Sequence, residues 1–223
     1  GYAFSLDGGS EWNLSNMTLT ASRINFGATT LSMTEGGTDG WISTEIRGAM
    51  LDSIMDFRLV RDANVIPAEV LNYNDQTSSY VTFNLHHAET GTYDVVSELP
   101  NGTQATLPDG FRVVPGINTN LGVKMDAPHW THIENPVPVT IAYANGGNTD
   151  IRIREIMFAS DGGDVAMTVA GLDEHKNVVH IKPEGNVDRM GYVTIPPGTQ
   201  AVIHCYFKQY QVGMCYLKLY IVK

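Results

Sequence analysis

The stretch GTYDVVSELPNGTQATLPDGFRVVPG, residues 91–116, decides the fold that the rest of the chain follows. Tyr93 and Val95 alternate with Asp94 along its first strand, which is the period of two expected when one face of a strand is buried. Pro-Asn-Gly at 100–102 predicts a hairpin turn, because Asn-Gly supplies the positive φ angles that a tight turn requires. The stretch therefore begins as a β-hairpin.

The remainder of this stretch predicts two more short strands. The chain returns over residues 103–107, turns again at Pro-Asp-Gly 108–110 and forms a last strand over 111–114. Pro115-Gly116 then marks a boundary. We interpret the whole as the closing end of an immunoglobulin-like sandwich, followed by a second domain.

The composition excludes several classes of protein. The 223 residues carry a net charge of −10 and include 22 glycines and 10 prolines, which is typical of a folded, turn-rich β protein. Residues 1–115 contain five arginines, no lysine and fourteen acidic residues. We therefore expect no nucleic-acid partner, because such a partner requires a basic patch. No apolar run reaches the length of a membrane span, so we expect no direct membrane insertion either.

The strands upstream of residue 91 have the same rhythm. In WISTEIR, residues 41–47, Ile42, Thr44 and Ile46 alternate with Trp41 and Ser43. Short strands recur about every 10–12 residues, and no segment has a convincing helical repeat. The sequence therefore predicts an all-β fold.

Several of these segments together resemble the IPT/TIG family of immunoglobulin-like domains. They are WISTEIRG (41–48), FRL (57–59), GTYDVV (91–96), NG (101–102) and PDGFRV (108–113). The resemblance covers about residues 28–115. It implies a β-sandwich that serves as a structural or interaction module.

The sequence after residue 116 resembles the adhesion-related immunoglobulin-like domains of bacterial cell-surface proteins. The similarity lies in VTIAYANGGNTDI (139–151) and in IPPGT (195–199). We therefore expect two tandem immunoglobulin-like β-sandwiches, at residues 28–115 and 116–223. Residues 1–27 would be the end of a preceding domain or a connector.

Two cysteines are present. Cys205 and Cys215 flank Tyr210 symmetrically, so they would lie opposite each other if the segment were a hairpin. Opposed positions on paired strands lie within the distance that a disulfide spans, so a disulfide is a candidate. The alternative is a pair of buried free thiols.

No constellation of residues predicts catalysis or a metal site. The chain contains no G-x-S-x-G motif, and His204 beside Cys205 would face the opposite side of a strand. His129 and His132 have a spacing compatible with zinc but lack further ligands nearby. We therefore expect no enzyme activity, no cofactor and no metal.

Trp41 and Trp130 are the candidate ligand-binding residues. An indole combines a large apolar face with a polar edge, so it can stack on a sugar or dock a partner. The alternative is that Trp41 begins a core strand and Trp130 fills the junction between the two domains.

The sequence thus favours a non-catalytic structural or adhesive module, acting as a spacer or interaction domain of a large secreted or cell-surface, bacterial protein. Its partners would be neighbouring domains of the same longer chain, and a protein or glycan at the cell surface. The alternative is a carbohydrate- or peptide-binding accessory module of a multidomain extracellular enzyme. A virion or phage fibre component is a third interpretation.

Overall fold

The computed structural model describes residues 26–169, 177–188 and 190–223, and these ranges contain eighteen β-strands and no helix. The prediction of an all-β fold is confirmed. Accordingly, no described segment is a helix with the length and hydropathy needed to cross a membrane. The buried apolar side chains form two clusters, one within residues 31–113 and one within 121–207. We call residues 26–115 the first unit and residues 116–223 the second unit.

The strands of the first unit are β1 (Gly27–Leu31), β2 (Glu35–Gly37), β3 (Trp41–Ala49), β4 (Asp56–Arg61), β5 (Asn64–Asp75), β6 (Ser78–Asn84), β7 (Gly91–Glu98) and β8 (Gln104–Val114). They are hydrogen-bonded in the order β1-β3-β6-β5-β4-β7-β8-β2. The β2–β8 pair is parallel, and the other pairs are antiparallel. The expected strands of residues 1–25 lie outside the described residues.

Strand β5 folds this sheet into a sandwich because it belongs to both halves. Pro67 lies opposite Arg58 on β4, whereas the next residue, Ala68, lies opposite Phe83 on β6. Proline has no N–H to donate, so it is tolerated where a strand changes partners. The two halves face each other across the core, where the rings of Phe83 and Phe111 have centroids 5.9 Å apart.

The alternation predicted for β3 is confirmed. Ile42, Thr44 and Ile46 are completely buried, on the face of β3 that covers this core. The hairpin turn predicted at 100–102 is confirmed as well. There Leu99 N–H donates to the carbonyl of Thr103 at 2.9 Å.

The predicted turn at residues 108–110 is wrong. These residues form a bulge within the single strand β8, because the strand pairs with β7 on both sides of them: Val95 lies opposite Leu107, and Tyr93 lies opposite Phe111. Asp109 has a φ of 51°, and its N–H donates to the Asp94 carboxylate at 2.8 Å. The Asp94 carboxylate thus accepts a hydrogen bond from a backbone N–H that the bulge leaves without a partner on the neighbouring strand.

Thr44 anchors the connection between β1 and β2 to β3. Its buried hydroxyl accepts a hydrogen bond from Met33 N–H at 2.9 Å and donates to the Met33 carbonyl at 3.2 Å. A valine has the same shape but makes neither bond.

We predict that Thr44→Val lowers the free energy of unfolding by about 1–3 kcal/mol, because the Met33 N–H loses its partner. Urea denaturation measures the change. The matched control is Thr29→Val, since the exposed Thr29 hydroxyl only donates to the Arg47 carbonyl at 3.1 Å. The control should change stability by less than about 0.5 kcal/mol. Equal effects of the two substitutions would contradict the assignment.

The strands of the second unit are β9 (Gly122–Asp126), β10 (Val137–Ala144), β11 (Ile151–Ile153), β12 (Glu155–Asp161), β13 (Val165–Val169), β14 (Val178–Ile181), β15 (Asn186–Val187), β16 (Val193–Ile195), β17 (Gln200–Gln209) and β18 (Tyr216–Val222). They form sheets in the orders β13-β17-β10-β9, β11-β16-β15 and β14-β12-β18. One side chain from each sheet shows that all three cover the same core: Ile141, Ile153 and Phe158 are fully buried in one cluster.

The hairpin predicted around Tyr210 is wrong, and the disulfide that depended on it is absent. Strand β17 pairs with β10 and β13, whereas β18 pairs with β12 in another sheet, so the two cysteines do not face each other as hairpin partners. Both are free thiols. Burial raises the pKa of Cys205 to about 11. The Cys215 sulfur lies 2.8 Å from the Ser160 hydroxyl.

Candidate functional site

The two units meet at the segment Asn-Gly-Gly-Asn-Thr-Asp, residues 145–150, which connects β10 to β11. Its backbone pairs with the first unit at two points. The Asn148 carbonyl accepts from Gly37 N–H at 2.7 Å, and Asp150 N–H donates to the Trp41 carbonyl at 2.8 Å. We call the contacts of residues 145–150 with residues 37–43 and with the linker 115–117 the seam.

The side chain of Asn148 holds the linker in the seam. Its amide oxygen accepts from Ile117 N–H at 2.6 Å, and its amide nitrogen donates to the Pro115 carbonyl at 2.9 Å. Gly37 permits this approach, because a Cβ there would lie 2.1 Å from the Asn148 amide oxygen. The amide of Asn148 therefore fixes both sides of the unit boundary.

The base of the segment is fixed from within the second unit. The buried Asn145 donates to the carbonyls of Thr149 and Ile195, at 2.8 and 2.9 Å. Its amide oxygen accepts from Gly147 N–H at 3.0 Å. These three hydrogen bonds restrict the backbone conformation of a segment that contains two flexible glycines.

Asp150 brings a carboxyl group into the seam. Oδ2 accepts from the Ser43 hydroxyl at 2.6 Å, whereas Oδ1 is buried without a hydrogen-bond partner. Burial raises the pKa of Asp150 from its ordinary value of 3.8 to about 7. The hydrogen bonds from Ser43 and the positive charge of Arg152 oppose that rise. The protonated carboxyl is therefore the form that this site accommodates best.

Tyr80 of β6 adds a polar group beside the seam, next to Ser43 and Asp150. Burial raises the pKa of the Tyr80 phenol, and the nearby Asp150 carboxyl adds to the rise. Hydrogen bonds of the phenol with Asn186 and with Ser43 lower that pKa. Because Asn186 belongs to the second unit, the Tyr80 phenol provides another contact across the boundary.

We predict that the native chain loses stability between pH 4 and pH 7 because of Asp150. In that interval the unfolded chain releases the Asp150 proton while the folded chain keeps it, so rising pH favours unfolding, and above about pH 7 the effect is constant. The shift corresponds to about 4 kcal/mol at most. The free energy of unfolding of Asp150→Asn, relative to that of the native chain, should therefore be higher at pH 8 than at pH 5.

Urea denaturation at pH 5 and pH 8 measures this difference. The charge-matched control is Asp126→Asn, which removes an exposed carboxylate on β9, away from the seam. The control should keep the pH dependence of the native chain. If Asp150→Asn also kept it, the carboxyl would not be buried as described.

A cleft of about 590 Å³ opens beside the seam, between the outer face of β3, β5 and β6 and the second unit. The first unit contributes Trp41, Ser43, Glu69, Val70, Leu71, Asn72 and Thr82. The second unit contributes Asp150, Arg152, Asn186, Val187, Asp188, Met190 and Thr194. The volume lies within the range of small-molecule sites.

The two predicted ligand-binding tryptophans lie apart. Trp41 is half-buried, lines the cleft and meets the His86 ring edge to face, with centroids 6.5 Å apart. Trp130 lies in the connection between β9 and β10 and is 90% exposed. The interpretation that Trp130 fills the junction between the units is therefore wrong. The junction contains Asn148 and Asp150 instead.

The described residues contain no group of three or more His, Cys, Asp or Glu side chains that could hold a metal ion. Two exposed acidic side chains form ion pairs instead. Glu35 lies 3.6 Å from Arg112, and Asp161 lies 2.7 Å from Lys218.

Sequence reasoning missed the seam. Residues 145–150 look like a plain turn that ends a strand, and Ser43 looks like a solvent-facing position of an alternating strand. The available signal was the density of polar residues in that turn, because Asn and Asp side chains commonly bond to nearby backbone. Their partners in the first unit are set by tertiary structure.

Comparisons with known proteins give little similarity. No protein-family model matches the chain, and no curated protein matches it. Among solved structures it is similar to the secreted serine protease VesC from Vibrio cholerae, with a TM-score of 0.24 and 10% sequence identity. The match covers 86% of this chain and 50% of that protease, so this chain spans half the length of the protease.

This match contradicts the expectation that the chain is not an enzyme, and we withdraw that expectation. A TM-score of 0.24 does not show a shared fold, so the match assigns no activity, location or residue role to this chain.

Proposed function

We propose that this chain is a structural and adhesive segment of a larger secreted or cell-surface protein, in which two β-sandwiches act as one fixed body. The observation that carries the proposal is the seam. Gly37, Trp41 and the linker are hydrogen-bonded to residues 145–150 through both backbone and side chains. A spacer that transmits position requires such a junction, because flexibly linked domains reorient freely.

The resemblances in sequence support the same proposal. The IPT/TIG-like segments of residues 28–115, and the similarity of the second unit to bacterial surface domains, favour an extracellular or cell-surface location. Neighbouring domains of the same longer protein are the partners that a spacer holds. The acidic, lysine-free first unit suits a soluble surface exposed to solvent.

A second candidate function is a ligand-binding accessory module. The specific observation that favours it is the cleft beside the seam, which Trp41 lines together with carboxylate and amide side chains. The two candidates are compatible, because the seam that fixes the units also fixes the two walls of the cleft.

We predict a narrow distribution of distances between spin labels on the two units. Labels are attached to cysteines at the exposed positions Thr92 and His204, in a background in which Cys215 is replaced by serine. Cys205 is buried and does not take a label. Pulsed electron–electron double resonance then measures the distribution of distances between the two labels.

Asn148→Ala should broaden this distribution severalfold, because the linker loses both bonds to the asparagine amide. The matched control is Asn120→Ala, whose amide oxygen accepts only from the Lys223 ammonium group at 3.2 Å. The control should leave the width unchanged. A broad distribution in the unsubstituted pair would refute the proposal of a fixed body.

A further inference from the structure

The cleft has a polar floor on the first unit. Ser43, Thr82 and Glu69 lie side by side across β3, β6 and β5, because these residues pair in register. Their side chains alternate with core residues such as Ile42, so they point away from the core of the sandwich. The floor is therefore a row of hydroxyl, hydroxyl and carboxylate.

Two of the first unit's polar groups have unused acceptors. The Glu69 side chain is exposed and makes no ion pair or hydrogen bond with a described residue. The Asn72 amide nitrogen donates to Asn74 at 2.6 Å, which leaves the Asn72 amide oxygen open. Both groups accept hydrogen bonds from a ligand that carries hydroxyl or N–H donors.

The opposite wall presents a guanidinium group that is already paired. Arg152 forms an ion pair with Asp188, and its guanidinium lies 5.2 Å from the centroid of the Tyr192 ring. It is the one cationic side chain among the described residues that line the cleft. With Arg152 engaged, these residues offer hydrogen bonds to a neutral ligand more readily than a charge to an anion.

Apolar surface surrounds these polar groups. Val70, Leu71, Val187 and Met190 are 38%, 37%, 52% and 77% exposed, and the half-buried Trp41 lies in the same lining. Indole and aliphatic surfaces cover the C–H faces of a sugar ring, while carboxylate, amide and hydroxyl groups bond to its hydroxyls. A sugar ring presents both kinds of surface on one small molecule.

We propose that the cleft between the two units binds a neutral oligosaccharide. Trp41 provides the apolar contact, and Glu69 and Asn72 accept hydrogen bonds from the sugar hydroxyls. This function goes beyond that of a spacer and needs the seam only to hold the two walls at their present separation.

The test begins with an array of neutral oligosaccharides (gluco-, galacto-, manno- and xylo-oligosaccharides) and of acidic glycans, probed with the full chain. Titration calorimetry with the best neutral binder then compares variants. Glu69→Ala and Asn72→Ala should each weaken binding about tenfold, because each removes an acceptor. Both positions are exposed, so folding is retained. Trp41→Ala should abolish binding.

The matched control is Trp130→Ala, which removes an indole outside the cleft and should leave the affinity unchanged. Three outcomes would overturn the proposal: no neutral oligosaccharide binds at millimolar concentration, only acidic glycans bind, or binding survives both Glu69→Ala and Asn72→Ala. A narrow spin-label distribution without sugar binding would overturn this inference alone. Sugar binding with a broad distribution would overturn the fixed body alone.

Discussion

The relative position of the two units depends on the backbone of one short segment, residues 145–150. Gly37 donates to the Asn148 carbonyl and Asp150 donates to the Trp41 carbonyl, so main chain is bonded to main chain across the boundary. The Asn148 side chain adds two bonds beside them, to Ile117 N–H and to the Pro115 carbonyl, and these hold the linker. The cleft that Trp41, Arg152 and Asn186 line depends on the position that these bonds fix.

The seam also contains an unfavourable group. A buried carboxyl oxygen without a partner costs free energy, and Asp150 Oδ1 is such an atom. The surrounding bonds hold it in place: Ser43 donates to Oδ2, and Asp150 N–H is bonded to Trp41. Because the cost depends on the protonation state of the carboxyl, the stability of the junction is linked to pH near neutrality.

Much of the fold within each unit could be predicted from the sequence, because it is written in local patterns. The alternation around Ile42 and Ile46 and the Asn-Gly turn at 101–102 are examples. The Pro-Asp-Gly segment at 108–110 was wrongly predicted as a turn, because the same residues are also suited to a bulge within a strand. Which of the two forms is decided by pairing with β7.

The candidate site was much less predictable. Trp41 was identified by residue type, but Asp150, Arg152 and Asn186, which line the same cleft, lie more than 100 residues away in the chain. Only the tertiary structure brings them to one site. The pairing of Cys205 with Cys215 failed for the same reason, because symmetry about Tyr210 cannot reveal that β17 and β18 belong to different sheets. The resemblance to IPT/TIG domains and the adhesive role stay predictions.

Residual dipolar couplings of the backbone amides, measured in a dilute liquid-crystalline medium, test the fixed arrangement of the two units most directly. Each unit yields its own alignment tensor, and two units that move as one body share a single tensor. The structure predicts that the two tensors have equal magnitude and rhombicity. Their principal axes should coincide when the two units are placed as the seam places them. Tensors that differ in magnitude by twofold or more would mean that the units reorient independently, and would contradict the account.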